Sequence, residues 1–90
     1  MNKQLYDEIH NEVTDWIYEN NDEIVSRYWA KDFAYYFMRW WDQLVMSGQI
    51  SYPLTTFCKV SDKDKKLLFQ RWKHDPNGLI FQEFQESKNL

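Results

Sequence analysis

Apolar residues recur every three or four positions over the first twenty residues of the chain. The stripe consists of Leu5, Tyr6, Ile9, Val13, Trp16 and Ile17. This spacing places side chains along one side of an α-helix. The pattern therefore predicts a first helix over about residues 2–20. Asn20 or Asn21 is expected either to end it in a left-handed conformation or to cap the next helix.

A second and denser stripe follows, in which the stretch FAYYFMRWW holds six aromatic rings in nine positions. On a helical wheel the apolar arc contains Trp29, Ala30, Phe33, Tyr36, Phe37, Trp40, Trp41 and Leu44. A stripe this broad is typical of a central helix that packs against two neighbours. We predict a helix over residues 22–47, ended by Gly48 and roughly 39 Å long at 1.5 Å per residue.

The helical pattern breaks over residues 48–61. Tyr52 precedes Pro53 and is thereby biased to an extended conformation, and the following threonines favour strand or irregular backbone. We expect a crossing segment with room for one short strand. Ser61 then fits the N-cap of a third helix over residues 62–74. Its buried side is predicted to hold Leu68, Phe69 and Trp72, with Lys65 near that apolar side.

The last segment has two interpretations. Pro76 suits the first position of a short helix over residues 76–87, whereas an Asn77-Gly78 turn would favour a strand over residues 79–84. The first interpretation predicts one all-α domain over residues 1–90, with three or four helices around the aromatic-rich one. The second predicts an α+β fold in which residues 55–60 and 79–84 form a strand pair.

Composition limits the classes of protein to consider. Ninety residues fit one domain, and two glycines and two prolines favour long elements. A single cysteine rules out an internal disulfide, and the sequence has neither a signal-peptide pattern nor a long apolar run. We expect a cytoplasmic protein.

Charge is distributed unevenly along the chain. Residues 1–25 carry seven acidic residues and one lysine, whereas residues 26–90 carry ten basic and seven acidic residues. On the first helix Glu8, Glu12, Asp15 and Glu19 fall within about 60° of one another, beside the apolar stripe. None has a lysine or arginine four residues later, the arrangement that would offset their repulsion. These acids form either a solvated helix face or a contact surface for a basic partner.

A second candidate contact surface lies on the central helix. Tyr28, Tyr35, Arg39 and Met46 point away from its apolar stripe, and tyrosine and arginine are enriched at interface centres. This surface could contact another protein or pair with its copy in a homodimer. The alternatives are ordinary half-exposed tyrosines, or packing by the C-terminal segment.

Motifs for chemistry are missing from the sequence. It has no glycine-rich phosphate loop, CxxC, HExxH or serine elbow, and residues from Asp62 lack the glycine and glutamate of a calcium loop. Asp7 and His10 could supply two metal ligands, but zinc needs three or four. We therefore expect no catalytic residue, no cofactor and no metal site.

Two function classes remain. The first is a non-enzymatic protein-interaction module, of the kind by which phages or mobile elements inhibit or regulate host proteins, with the acidic residues covering a basic surface. The second is a nucleic-acid-binding regulator that uses the basic side chains Lys63, Lys66, Arg71 and Lys73 of the third helix. The sequence pI of about 5.2 favours the first class.

Overall fold

The computed structural model describes residues 2–22, 24 and 26–74. This part of the chain forms three α-helices, α1 (Lys3–Asn20), α2 (Arg27–Met46) and α3 (Asp62–Lys73), with a 3₁₀ helix at Leu54–Lys59 between α2 and α3. The described residues contain no strand, so the all-α prediction is confirmed. Residues 55–59 belong to the 3₁₀ helix, and the α+β alternative is not supported. The helix at 76–87 and the strand at 79–84 lie outside the described residues.

Helix α1 has side-chain hydrogen bonds at both ends. The Asn2 side chain accepts from the Leu5 backbone N–H at 2.8 Å, which satisfies one of the free donors of the first turn. At the other end the side-chain amides of Asn20 and Asn21 donate to backbone carbonyls four residues earlier, at 2.9 Å each. The helix ends where the sequence predicts. The predicted roles of the asparagines are wrong, because Asn21 is extended with a φ of −137° and Ser26 caps the next helix.

Helix α2 begins at Arg27, so the prediction that it starts at residue 22 is wrong. Ile24 lies in the connection before it and is only 7% exposed, because it fills part of the core from this segment. Ser26 then caps α2 by accepting from the Tyr28 backbone N–H at 3.2 Å. The helix has 20 residues, or roughly 30 Å, and the molecule is 34 Å along its longest axis. It spans the fold rather than protruding from it.

Phe37 lies at the centre of the core, which α1, α2, the 3₁₀ helix and α3 share. Its ring lies 5.3–6.0 Å from the rings of Trp40, Trp41, Phe69 and Trp72. The buried residues of the predicted α2 arc are Ala30, Phe37, Trp40, Trp41 and Leu44. Phe33 and Tyr36 are half-buried.

Trp29 departs from the predicted core, because it is 41% exposed. Trp29 lies in the first turn of α2. Phe33, one turn later in α2, contacts Trp72 in the last turn of α3, and the two ring centres are 6.1 Å apart. The prediction of a buried Trp29 is therefore wrong.

The crossing segment between α2 and α3 is fixed by two aromatic residues. The Trp41 indole N–H donates to the Tyr52 carbonyl at 2.6 Å. Phe57, in the 3₁₀ helix, lies 6.2 Å from the Trp16 ring and 5.6 Å from the Trp41 ring. The segment then enters α3 at Ser61, whose hydroxyl accepts from the Asp64 backbone N–H at 3.2 Å, as predicted. This path brings the start of α3 beside α1.

No helix in the described ranges combines the length and the apolar character that crossing a membrane requires.

Candidate functional site

All four predicted acids of α1 are exposed along one side of the helix, and we call Glu8, Glu12, Asp15 and Glu19 the acidic face. Asp15 is paired within the chain, because Arg27 at the start of α2 donates to its carboxylate at 2.6 and 3.1 Å. Both side chains of this pair are about half exposed, at 54% and 53%. Glu8, Glu12 and Glu19 form no side-chain hydrogen bond or ion pair with any described residue.

A groove of about 300 Å³ runs between the acidic face and the segment that leads into α3. It is lined by Glu12, Asp15, Trp16, Glu19, Phe57, Cys58 and Lys65. The rings of Trp16 and Phe57 meet edge to face, and the Trp16 indole N–H donates to the Asp62 carboxylate at 3.3 Å. The groove therefore combines aromatic carbon with a carboxylate wall.

Lys65 is the residue of this groove that sequence reasoning missed. It is 8% exposed, and its ammonium nitrogen lies 4.4 Å from the centre of the Phe57 ring. Its ammonium group makes no hydrogen bond or ion pair with a described residue. Its place near the apolar side of α3 was visible in the sequence, but its contact with Phe57 depends on how the crossing segment folds.

The second predicted surface also lies on the outside of the molecule. Tyr28 is 71% exposed, Tyr35 43% and Met46 87%, and Arg39 is exposed as well. The Arg39 guanidinium carbon lies 5.8 Å from the centre of the Tyr35 ring. We call these four residues the α2 outer line. The fold brings Tyr35 and Arg39 together, while the acidic face belongs to a different helix.

Two titratable groups near this line have shifted pKa values. Partial burial raises the pKa of the Tyr6 hydroxyl, and the nearby Tyr35, Asp42 and Asp7 raise it further, while Arg39 opposes them. Partial loss of surrounding water raises the pKa of the Asp42 carboxyl group. Both shifts arise where the start of α1 lies beside the later part of α2.

The basic residues of α3 have two different environments. Lys63 and Lys66 are exposed and make no ion pair with a described residue. Arg71 donates to the Gln49 side chain at 2.9 Å and lies over the Trp40 ring at 5.9 Å. Lys73 is half-buried, with its ammonium 5.7 Å from the Phe69 ring centre. The fold thus uses two of the four predicted nucleic-acid contacts for packing.

Metal-ligating side chains are not grouped in the described ranges, where no three His, Cys, Asp or Glu residues could hold an ion together. His10 has a structural contact instead, since its Nε2 donates to the Lys31 carbonyl of α2 at 2.8 Å. Cys58 is a free, exposed thiol at the groove.

No family model, curated protein or solved structure matches this chain. Function is therefore inferred from the chemistry of the acidic face and the groove.

Proposed function

We propose that this chain is a non-enzymatic protein-interaction module that covers a basic surface of a partner protein with its acidic face. The observation that supports the proposal is the set of three exposed carboxylates, Glu8, Glu12 and Glu19, that have no ion pair with a described residue. They lie on one helix at intervals of about one and two turns, and Glu12 and Glu19 also line the groove. A partner's lysines and arginines would find acceptors at a regular spacing.

Electrostatic cost supports the same proposal. Like charges four residues apart, such as Glu8 with Glu12 and Asp15 with Glu19, destabilise a helix by roughly 0.2–0.5 kcal/mol per pair. A basic surface opposite them removes this repulsion in the complex. Complementary charge also steers encounter and raises the association rate.

A module of this kind acts by occupying a surface, so we propose the role of an inhibitor or regulator of its partner. Small proteins of phages and mobile elements work in this way, and we extend the proposal to that class by analogy. We place the action in the cytoplasm, where a single free cysteine stays reduced.

The test is affinity capture from the source cell with quantitative mass spectrometry. The variant E8Q/E12Q/E19Q removes the three carboxylates that lack an ion pair within the described residues, and it leaves the Asp15–Arg27 pair intact. Its matched control is D7N/D22N/D42N, which removes the same amount of charge from exposed positions outside the acidic face. We expect a partner captured by the unmodified chain to be lost with the first variant and kept with the second.

Equal capture by the two variants would refute the proposal. Equal loss would mean that net charge, rather than the acidic face, governs binding, and would refute it as well. Circular dichroism of both variants should match the unmodified chain, because all six substituted side chains are exposed.

We propose the α2 outer line as a second contact surface, for a second copy of the chain. The supporting observation is the exposure of Tyr28 and Met46, the two most exposed large apolar residues of the described chain. Light scattering after size exclusion should give twice the chain mass of 11.2 kDa, and Y28D/M46D should restore the single mass. A monomer at all concentrations would exclude this pairing.

The alternative function is a nucleic-acid-binding regulator, and the exposed Lys63 and Lys66 are the observation that favours it. Fluorescence anisotropy with labelled single- and double-stranded DNA and RNA tests it directly. Micromolar binding that K63Q/K66Q abolishes would favour this alternative. Unchanged binding by K63Q/K66Q would contradict this alternative function.

A further inference from the structure

We infer that the α2 outer line pairs with its copy in an antiparallel, two-fold arrangement whose axis passes beside Phe37. This inference rests on the self-pairing proposed above and deepens it, because it names which residues of the two copies meet. It is carried by the positions of the four residues along α2 and by the charged side chains next to them.

The outer line is symmetric about its own middle. Tyr28 and Met46 each lie nine positions from Phe37, and Tyr35 and Arg39 each lie two positions from it. A closed dimer needs such a self-complementary surface, in which residue i meets residue j and j meets i. Antiparallel pairing about this midpoint places Tyr28 against Met46 of the second copy, and Tyr35 level with Arg39 of the second copy. A parallel pair would instead bring the two Arg39 charges together.

The spacing of the line suits contact along its whole length. With Asp32 and Asp42 included, its six positions follow one another at alternating steps of four and three residues, the spacing that keeps a seam facing a second helix. The six fall within about 80° of the helix circumference, on the side opposite Phe37. Five of these side chains are exposed and Asp32 is half-buried. The line is therefore a continuous strip that a second helix can cover.

Both pairs of facing side chains are chemically favourable. Tyr28 is 71% exposed and Met46 87%, and their contact would bury apolar surface and place a thioether beside an aromatic ring. Arg39 already lies over the Tyr35 ring of its own helix, at 5.8 Å. In the pair each guanidinium group would also lie beside the Tyr35 ring of the second copy, which adds a second contact of the same kind.

The charged residues favour this direction of pairing. Around the helix, Asp32 and Arg39 lie about 20–40° to one side of Tyr28, and Tyr35 and Asp42 lie equally far to the other side. A two-fold axis perpendicular to both helices keeps these sides together. Asp32 of one copy therefore lies on the same side as Arg39 of the second, about 4.5 Å away along the helix axis. This ion pair occurs twice, whereas Asp32 and Asp42 lie on opposite sides of the seam.

The direction of pairing is tested by disulfide trapping in the full-length chain. With Cys58 replaced by serine, Tyr28→Cys and Met46→Cys are made as separate proteins and oxidised alone and as a mixture. A disulfide needs Cα atoms within about 7 Å, whereas two copies of either position lie about 27 Å apart in the antiparallel pair. We expect the mixture to form at least about tenfold more covalent dimer than either protein alone.

The matched control is a mixture of Y28C with K66C, which puts the second thiol at an exposed position on α3. It should form no more covalent dimer than Y28C alone. Covalent dimers within the Y28C protein and within the M46C protein, with no excess in their mixture, would indicate a parallel pair. That result would overturn the inference and leave the proposed self-pairing in place.

The ion pair is tested by sedimentation velocity. One helix against its copy is a small interface, so we expect a dimer Kd on the order of 10 µM for the unmodified chain. R39D and D32R should each weaken the dimer about tenfold, and D32R/R39D should recover most of the loss because the exchanged charges meet again. The two residues lie about 10 Å apart within one helix, so the recovery cannot arise inside one chain.

Failure of D32R/R39D to recover affinity would overturn the ion pair. The disulfide test uses exposed positions alone, and it decides the direction of pairing even if a charge-reversed chain is less stable. A monomer at all concentrations would exclude the proposed self-pairing and this inference together. The proposal for the acidic face is separate, because it depends on capture of a partner by Glu8, Glu12 and Glu19.

Discussion

At the scale of single residues, the core is organised by ring-to-ring contacts around Phe37. Its neighbours come from α2 itself and from α3, so this one side chain joins two elements. Edge-to-face and offset pairs add to the area that the rings bury. Phe37 is fully buried, and no water can compensate for a missing contact there.

We expect Phe37→Leu to lower the free energy of unfolding by about 2 kcal/mol, because it leaves a small cavity and removes several aromatic pairs. Urea unfolding followed by far-ultraviolet circular dichroism measures the change. Tyr18→Leu is the control, since Tyr18 is 43% exposed and should change stability by less than about 0.5 kcal/mol. Similar losses in the two variants would contradict the central place of Phe37.

Asp42 should reduce the stability of the fold at neutral pH. Its pKa is raised above the ordinary value of 3.8, so the folded chain holds this proton more tightly than the unfolded chain does. The stabilising contribution is present below that ordinary value and is lost as the pH rises through the raised pKa. Asp42→Asn should therefore raise the free energy of unfolding at pH 7, by up to about 0.5 kcal/mol for an exposed group.

The same substitution should have a smaller effect at about pH 3, where the carboxyl group is protonated in both states. Thermal unfolding at the two pH values measures the difference. Asp22→Asn, in the exposed turn after α1, is the matched control. An identical pH dependence for the two variants would show that Asp42 has no special environment.

Residues whose environment depends on another element were the ones that the sequence did not reveal. Phe37 and Trp41 were predicted to be buried because both lie in the middle of one helical stripe. Trp29 lies in the same stripe, but it is in the first turn of α2 and is 41% exposed. The burial of Lys65 depends on Phe57, which lies eight positions earlier in a segment with no helical periodicity.

At the scale of elements, the ends of the helices are fixed by single residues. Gly48 follows α2 with a φ of +77°, a backbone conformation that side chains with a Cβ adopt only at a cost. Its backbone N–H donates to the Val45 carbonyl at 3.1 Å, which helps to close the last turn. The chain can then reverse into the crossing segment that supplies Phe57.

We expect Gly48→Ala to lower the free energy of unfolding by about 1 kcal/mol through backbone strain alone. A Cβ at this position would have no atom within 4 Å, so steric contact adds nothing. Gly48→Asn should cost less, because asparagine tolerates this region of φ better than alanine. An alanine variant as stable as the unmodified chain would contradict the assigned conformation. Chemical denaturation of the unmodified chain and the two variants measures the order of their free energies of unfolding.

The ends of α1 and the start of α3 were predictable because their caps are local. Asn20, Asn21 and Ser61 act on backbone groups within four residues of themselves. The start of α2 was not predictable in this way. Asp22 is a favourable residue for the first turn of a helix. The later start of α2, at Arg27, is explained by the burial of Ile24 in the core.

At the scale of the whole molecule, the uneven charge of the sequence is divided between two helices. The acidic face lies on α1, and the exposed lysines Lys63 and Lys66 lie on α3. The net charge of −3 conceals this arrangement. An oriented charge distribution acts at a distance of about one Debye length, which is roughly 8–10 Å near physiological salt.

Association with a captured partner should therefore depend strongly on salt. Between about 50 mM and about 500 mM sodium chloride, we expect the association rate to fall about tenfold, with a smaller change in the dissociation rate. Biolayer interferometry with the immobilised chain measures both rates. E8Q/E12Q/E19Q should lose most of this salt dependence, and D7N/D22N/D42N should keep it. A salt-independent association rate would count against steering by the acidic face.

Cys58 gives this molecule a practical property. It is the single cysteine of the chain, its thiol is exposed, and it lines the groove. A fluorophore or a disulfide-forming fragment attached there needs no engineered residue and reaches one defined place. Labelling the natural sequence thus yields a uniform sensor of groove occupancy, and tethered fragments can be screened against the groove by intact mass.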